Sequence, residues 1–94
     1  DRLGEPKDIA DFVYLSQVNQ AEAIALAALH HRSCRPVTMG SLYWQLNDVW
    51  PSISWSSIDY DGRWKLLHYA GRRFFAPQVI VAEHKDTSTR IALV

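Results

Sequence analysis

Ninety-four residues, 48% hydrophobic and 12% aromatic, are the size of one small domain or a piece of a larger one, and too apolar for a disordered chain. Ten Lys and Arg balance ten Asp and Glu, which argues against a nucleic-acid partner, and no apolar run is long enough to span a membrane. Cys34 is the only cysteine and builds neither an internal disulfide nor a cysteine-rich zinc site.

Asp1 to Lys7 is a polar lead-in with Gly4 and Pro6. From Asp8 the pattern turns helical. Asp8 is placed to cap, Asp11 adds negative charge to the first turn, and Ile9, Phe12, Val13, Val18, Ala21, Ala25, Ala28 and Leu29 recur near helical spacing. Ala21 to Leu29 is rich in the best helix formers. His30, His31 and Arg32 suit a helix C-terminus, and Pro36 stops continuation. The expected helix is Ile9 to Ser33. Val37 to Leu46 then reads as a strand buried on both faces, as in a parallel sheet. Asn47 to Tyr60 mixes Asn, Asp, Pro and Ser with Trp50, Ile53, Trp55 and Ile58, the composition of an ordered loop. After Gly62, the residues Trp64, Leu67, Ala70, Gly71 and Phe74 form one helical stripe that Pro77 ends. Val79–Val81 and Ile91–Val94 flank the polar link His84–Thr89, as in a hairpin. A strand between two helices is one unit of a repeating β/α architecture, and the closing β segment belongs to something else. Both chain ends fall where cuts through a longer polypeptide would.

The chemistry concentrates in Gly40 to Trp55, GSLYWQLNDVWPSISW. Trp44, Trp50 and Trp55 surround Gln45, Asn47 and Asp48 just beyond the C-terminal end of the expected strand, which is the active-site face of a β/α barrel. Apolar ring faces beside amides and a carboxylate suit a sugar, whose C–H face stacks while its hydroxyls need donors and acceptors. The competing reading is that the tryptophans are core. His30 and His31 are adjacent, so on a helix they point about 100° apart and cannot chelate one ion together. His68, Cys34 and the Arg72–Arg73 pair have structural readings. Glycoside hydrolysis normally needs two carboxylates about 5–10 Å apart. Asp59 and Asp61 fit a turn and a cap, and Asp48 alone cannot be both acid and nucleophile. The chain thus supplies walls of a sugar site without a catalytic pair.

Gly40 to Pro77 also resembles the end of the catalytic barrel in glycoside hydrolase family 2, and within it the β-mannosidases. The resemblance is carried by Leu42-Tyr43-Trp44-Gln45-Leu46-Asn47-Asp48, Trp50-Pro51, Ser54-Trp55-Ser56-Ser57, Gly62-Arg63-Trp64-Lys65 and His68-Tyr69, with Tyr14-Leu15-Ser16-Gln17 and Gln20-Ala21 upstream. It implies an α/β fold. Residues 1–77 would be the C-terminal part of a (β/α)8 barrel: penultimate helix, last strand Gly40 to Leu46, and last helix Arg63 to Phe75. Residues 78–94 would begin a β-sandwich domain. It implies retaining exo-hydrolysis of terminal β-D-mannose through two glutamates on earlier strands. Glu5, Glu22 and Glu83 fall outside those motifs, so this segment carries no catalytic residue and is expected to be inactive alone. Trp44 would stack beneath the innermost sugar, followed by a cis Trp44–Gln45 bond. Gln45, Asn47, Asp48, Trp50 and Trp55 would line or brace the site. No cofactor or metal is implied. The expected partners are a β-mannoside oligosaccharide or glycoprotein-derived glycan and the remainder of the same polypeptide. An exo-β-glucosaminidase or endo-β-mannosidase of the same family is the near alternative. A Trp-rich sugar-binding module and a purely structural domain are the distant ones.

Overall fold

The computed structural model describes residues 3–94. Its elements, in chain order, are α1 (Ile9–Ser33), α2 (Leu66–Phe74), β1 (Ile80–Lys85) and β2 (Ser88–Leu93).

Helix α1 has the bounds its pattern predicts. The Asp8 carboxylate accepts from the Asp11 amide at 2.8 Å, and the Asp11 carboxylate accepts from the Lys7 amide at 3.0 Å. Two of the orphan donors around the first turn are thereby satisfied. At the other end the Cys34 amide donates to the carbonyls of His30 and His31, both at 3.2 Å. The chain then turns away through a cis Arg35–Pro36 bond.

Helix α2 begins at Leu66, three residues later than the resemblance implies, because Arg63 to Lys65 are held by the preceding loop. Trp64 bridges Ile58 in antiparallel fashion, the Lys65 amide donates to the Ser57 carbonyl at 2.9 Å, and Lys65 is extended. Trp64 consequently precedes the helix instead of opening its apolar stripe. Lys65 provides no side-chain cap. Instead, the Gln17 side chain of α1 accepts from the Leu66 amide at 3.1 Å.

The two helices enclose a small core of Ala28, Leu67 and Phe74, with Ile24, Ala25, Leu29, Tyr43 and Ala70 packed against it. Alanines on α1 let α2 approach, and Leu67 and Phe74, both essentially fully buried, each contribute about 1.5–3 kcal/mol.

Val37 to Leu46 is the main departure from the sequence expectation. Among the described residues it forms no strand, and Val37 and Leu42 are almost fully exposed. A strand needs a neighbouring backbone, and only its last residues find one. The carbonyls of Gln45 and Leu46 accept from the amides of Ser57 and Ile58 at 3.0 and 2.9 Å. Of its large apolar side chains only Tyr43 packs against the core, while Val37, Met39, Leu42, Trp44 and Leu46 are exposed among the described residues.

The hairpin is antiparallel, in register from Ile80↔Leu93 to Lys85↔Ser88. Pairing therefore runs well into the span His84–Thr89 read as a link. Only Asp86 and Thr87 turn the chain, with Asp86 at φ 54°, a left-handed conformation that Asp tolerates better than most residues. Strand pairing uses backbone groups and does not need apolar side chains, so a polar stretch pairs as readily as an apolar one. The hairpin docks on α1 through Val81, which is buried, and through polar contacts. Arg32 donates to the carbonyls of Phe74 at 2.9 Å, Ala76 at 2.6 Å, Pro77 at 3.4 Å and Val94 at 3.2 Å. Glu83 accepts from Ser33 at 2.8 Å and from Arg90 at 3.1 and 2.5 Å, and lies 2.8 Å from His30 Nδ1.

Candidate functional site

Three short pairings shape the segment from Trp44 to Lys65. The Asp48 amide donates to the Ile58 carbonyl at 3.1 Å, Ile58 returns the bond to Leu46, and Lys65 joins Ser57. Residues 49–56 are thus looped out between paired ends. The Trp44–Gln45 bond is cis, as the resemblance implies.

Trp44, Trp50 and Trp55 all stand outward, at 74%, 68% and 60% exposure. None of the three belongs to the core that this segment forms. Among the described residues the close ring pairs lie elsewhere: Trp64 on His68 and Tyr69, Tyr43 on Phe75, Phe74 on Phe75, and His30 on His31. Gln45 is half-buried and its side chain donates to the Asn47 carbonyl at 2.9 Å. Asn47 is exposed and its side chain donates to the Asp48 carbonyl at 3.1 Å. Each amide therefore keeps its carbonyl end available while its donor end shapes the turn.

Asp48 sits differently. It is only 6% exposed, inside the loop. The Ser54 hydroxyl donates to its Oδ1, and Lys65 Nζ lies 3.6 Å from its Oδ2, which has no hydrogen-bond partner. The Ser54 bond holds this carboxyl below its ordinary value, burial pushes it the other way, and Ser56 and Lys65 add to the lowering. Asp48 is therefore a buried carboxylate, whereas the three tryptophans are exposed. Around it, Lys65 Nζ donates to the Ser56 hydroxyl at 2.9 Å and the Ser54 carbonyl at 3.2 Å. Ser56 is fully buried and donates to the Ile58 carbonyl at 3.0 Å.

Several contributors carried no individual signal in the sequence. Gln20 of α1 donates to the Trp55 carbonyl at 2.7 Å, fastening the loop to the first helix across 35 positions. Ser57, also fully buried, donates to the Leu46 carbonyl at 2.9 Å, accepts from the Tyr43 hydroxyl at 3.2 Å and lies 3.3 Å from His68 Nδ1. Gln17, Gln20, Ser56, Ser57, Lys65 and His68 all fall in stretches through which the family resemblance runs. That resemblance was the only signal available for them.

A sizeable cleft lies elsewhere. It is a groove of about 840 Å³ between α1 and α2, lined by Ala21, Ala25, Leu29, Ala70, Phe74 and neighbours. Its walls are mostly aliphatic, so its chemistry is that of a packing surface. Among the described residues no group of three His, Cys, Asp or Glu side chains could hold a metal ion, and no helix is long and apolar enough to cross a membrane.

Comparison with known proteins decides the relationship. A stretch of 84 residues, 81% of this chain, is 49% identical to the β-mannosidase of the goat, Capra hircus. The chain is homologous to β-mannosidases. The likeness extends beyond mammals. It is 38% over 91 residues to a probable β-mannosidase of Caenorhabditis elegans, covering 86% of the chain. It is 54% over 52 residues to β-mannosidase A of Aspergillus terreus, covering 55% of the chain and 6% of that protein. The chain spans about 10% of the length of the animal relatives. No protein-family model matches it. Against these β-mannosidases the chain is an α/β segment of two helices and a two-stranded antiparallel hairpin.

Proposed function

We propose that this chain is a segment of a retaining, exo-acting β-mannosidase of glycoside hydrolase family 2. In that reading it forms the close of the (β/α)8 barrel over residues 1–77 and the start of a β-sandwich domain over 78–94. Its role is to supply one wall of the site for a terminal β-D-mannose residue. One observation carries the reading: in the segment through which the family resemblance runs, Trp44, Trp50 and Trp55 are each exposed, in a chain homologous to β-mannosidases. Large aromatic faces beside amide carbonyls suit sugar rings, which stack their C–H faces on the rings and hydrogen-bond the amides.

The wall divides the work. Trp44 supplies a flat apolar face to the ring. Trp50 and Trp55 extend that face toward the rest of the glycan, and Gln45 and Asn47 offer acceptors for hydroxyl groups. Asp48 acts from below by holding the loop. By the family resemblance, the acid and the nucleophile are two glutamates on earlier strands of the longer protein, and Glu5, Glu22 and Glu83 fall outside the family's catalytic motifs. The exposed Val37, Met39 and Leu42 would be covered by neighbouring barrel strands.

The test uses the full-length protein that contains this segment. It should release the aglycone from an aryl β-mannoside with retained anomeric configuration, at least tenfold faster than from the corresponding β-glucosaminide. Preference for the glucosaminide, or cleavage restricted to internal linkages of a mannan, would overturn the assignment.

A further inference from the structure

We propose that Lys65 is a positioning residue for the tryptophan loop, setting where Trp50 and Trp55 stand through an ammonium that ties Asp48 to Ser54 and Ser56. The inference rests on the reading of that loop as a sugar wall and adds how the wall is held.

The loop has no regular structure between its paired ends, and Val49, Pro51, Ser52 and Ile53 are all exposed. Apart from the Gln20 bond to the Trp55 carbonyl, its inward contacts converge on one cation. Lys65 Nζ donates to the Ser56 hydroxyl at 2.9 Å and the Ser54 carbonyl at 3.2 Å, and faces Asp48 Oδ2 at 3.6 Å. The main chain of Lys65 is tied to Ser57 at 2.9 Å, so the ammonium hangs from a fixed point. Ser54 completes the circle by donating to Asp48 Oδ1 while accepting from the Ser56 amide at 3.1 Å. One charge thus joins Asp48, at the start of the loop, to the two serines that flank Trp55.

A neutral side chain could not do this. Asp48 Oδ2 is buried and has no hydrogen-bond partner. The Asp48 and Lys65 side chains are only 3% and 15% exposed, so solvent screens the pair weakly. Without the ammonium, Asp48 becomes an uncompensated buried charge, one of the costlier defects in a protein interior. The cheapest relief is to open the loop and hydrate the carboxylate. That motion displaces Trp50 and Trp55, while the helical core of Ala28, Leu67 and Phe74 is untouched.

The experiment compares Lys65→Met and Lys65→Arg with the parent full-length protein by two readouts. The first is amide exchange over residues 49–56. The second is kcat and KM for an aryl β-mannoside, expressed per folded active site. Arg63→Ala, which removes an exposed pair with Asp61, sets the baseline. Lys65→Met should raise exchange over 49–56 about tenfold or more and lower kcat/KM by up to about 100-fold, the scale expected for misplaced binding groups. Lys65→Arg, which keeps the charge, should retain most of both properties. Unchanged exchange in Lys65→Met overturns the proposal. So does unchanged kcat/KM in a parent protein that hydrolyses the mannoside. A parent protein inactive on the mannoside overturns the mannosidase reading instead, and exchange alone then decides the role of Lys65. Should Lys65→Met not fold, Ser54→Ala breaks the same circle without stranding a charge, and the same flat readouts overturn the proposal.

Discussion

Replacing Trp44 by Ala separates a sugar-binding wall from a packed core by two measurements that move in opposite directions. In this segment Trp44 keeps 74% of its surface open. The covered quarter is roughly 60 Å² of the ~250 Å² that a tryptophan can bury, and at ~25 cal/mol per Å² it contributes about 1.5 kcal/mol. A tryptophan truncated in a closed core would cost about 3–5 kcal/mol. Loss of a stacking face under the ring should instead remove about 2–4 kcal/mol of transition-state binding, roughly 30- to 1,000-fold in kcat/KM. The assay is hydrolysis of an aryl β-mannoside by the full-length Trp44→Ala variant, with active sites counted by a covalent inhibitor. A thermal melt of the same preparation accompanies it. The expected result is a large kinetic loss with a small shift in melting. Near-parental kinetics per active site combined with a large loss of stability would refute the reasoning and return Trp44 to the core.

Arg32→Met should free the hairpin from the helices. Its guanidinium donates to four carbonyls across α2's end and the hairpin, so local stability should fall by about 2–3 kcal/mol; unchanged amide exchange over 80–93 would contradict this. Glu83 is held at about 2, below its ordinary 4.5, first by Arg90 and then by His30 and Ser33. A depressed carboxylate stabilises fully above its unfolded value and loses that contribution as pH falls toward the folded one. The melting difference between parent and Glu83→Gln should therefore be steady above about pH 4.5 and shrink toward pH 2, and a difference growing with acidity would exclude the role. The 94 residues expressed alone should give neither a sharp two-state melt nor mannosidase activity, given an exposed apolar span from Val37 to Leu46 and no catalytic pair. A monodisperse, cooperatively melting monomer would count against the first half, and measurable aryl β-mannoside hydrolysis against the second.

The sequence by itself determined what depends on near neighbours along the chain. Asp8 three residues before the amide it caps, the Ala- and Leu-rich turns, the basic last turn and Pro36 together define α1, because helix hydrogen bonds and caps span only three or four residues. The tryptophan-rich segment was also legible, through an unusual density of aromatic and amide side chains and through its resemblance to a known family. What only the tertiary structure decided lies in pairings between distant residues. Whether Val37 to Leu46 is a strand depends on a neighbouring backbone, which periodicity cannot supply. Where α2 begins depends on Ser57 and Ile58 claiming Trp64 and Lys65 first, a competition invisible in a helical stripe. That Asp48 turns inward to Ser54 and Lys65 was equally invisible, since a carboxylate takes whichever donors the loop closure brings to it. Gln20 reaches Trp55 and His30 meets Glu83 across 35 and 53 positions. Such contacts exist only once the helices have packed, because hydrogen bonds select by distance in space and leave no period in the chain.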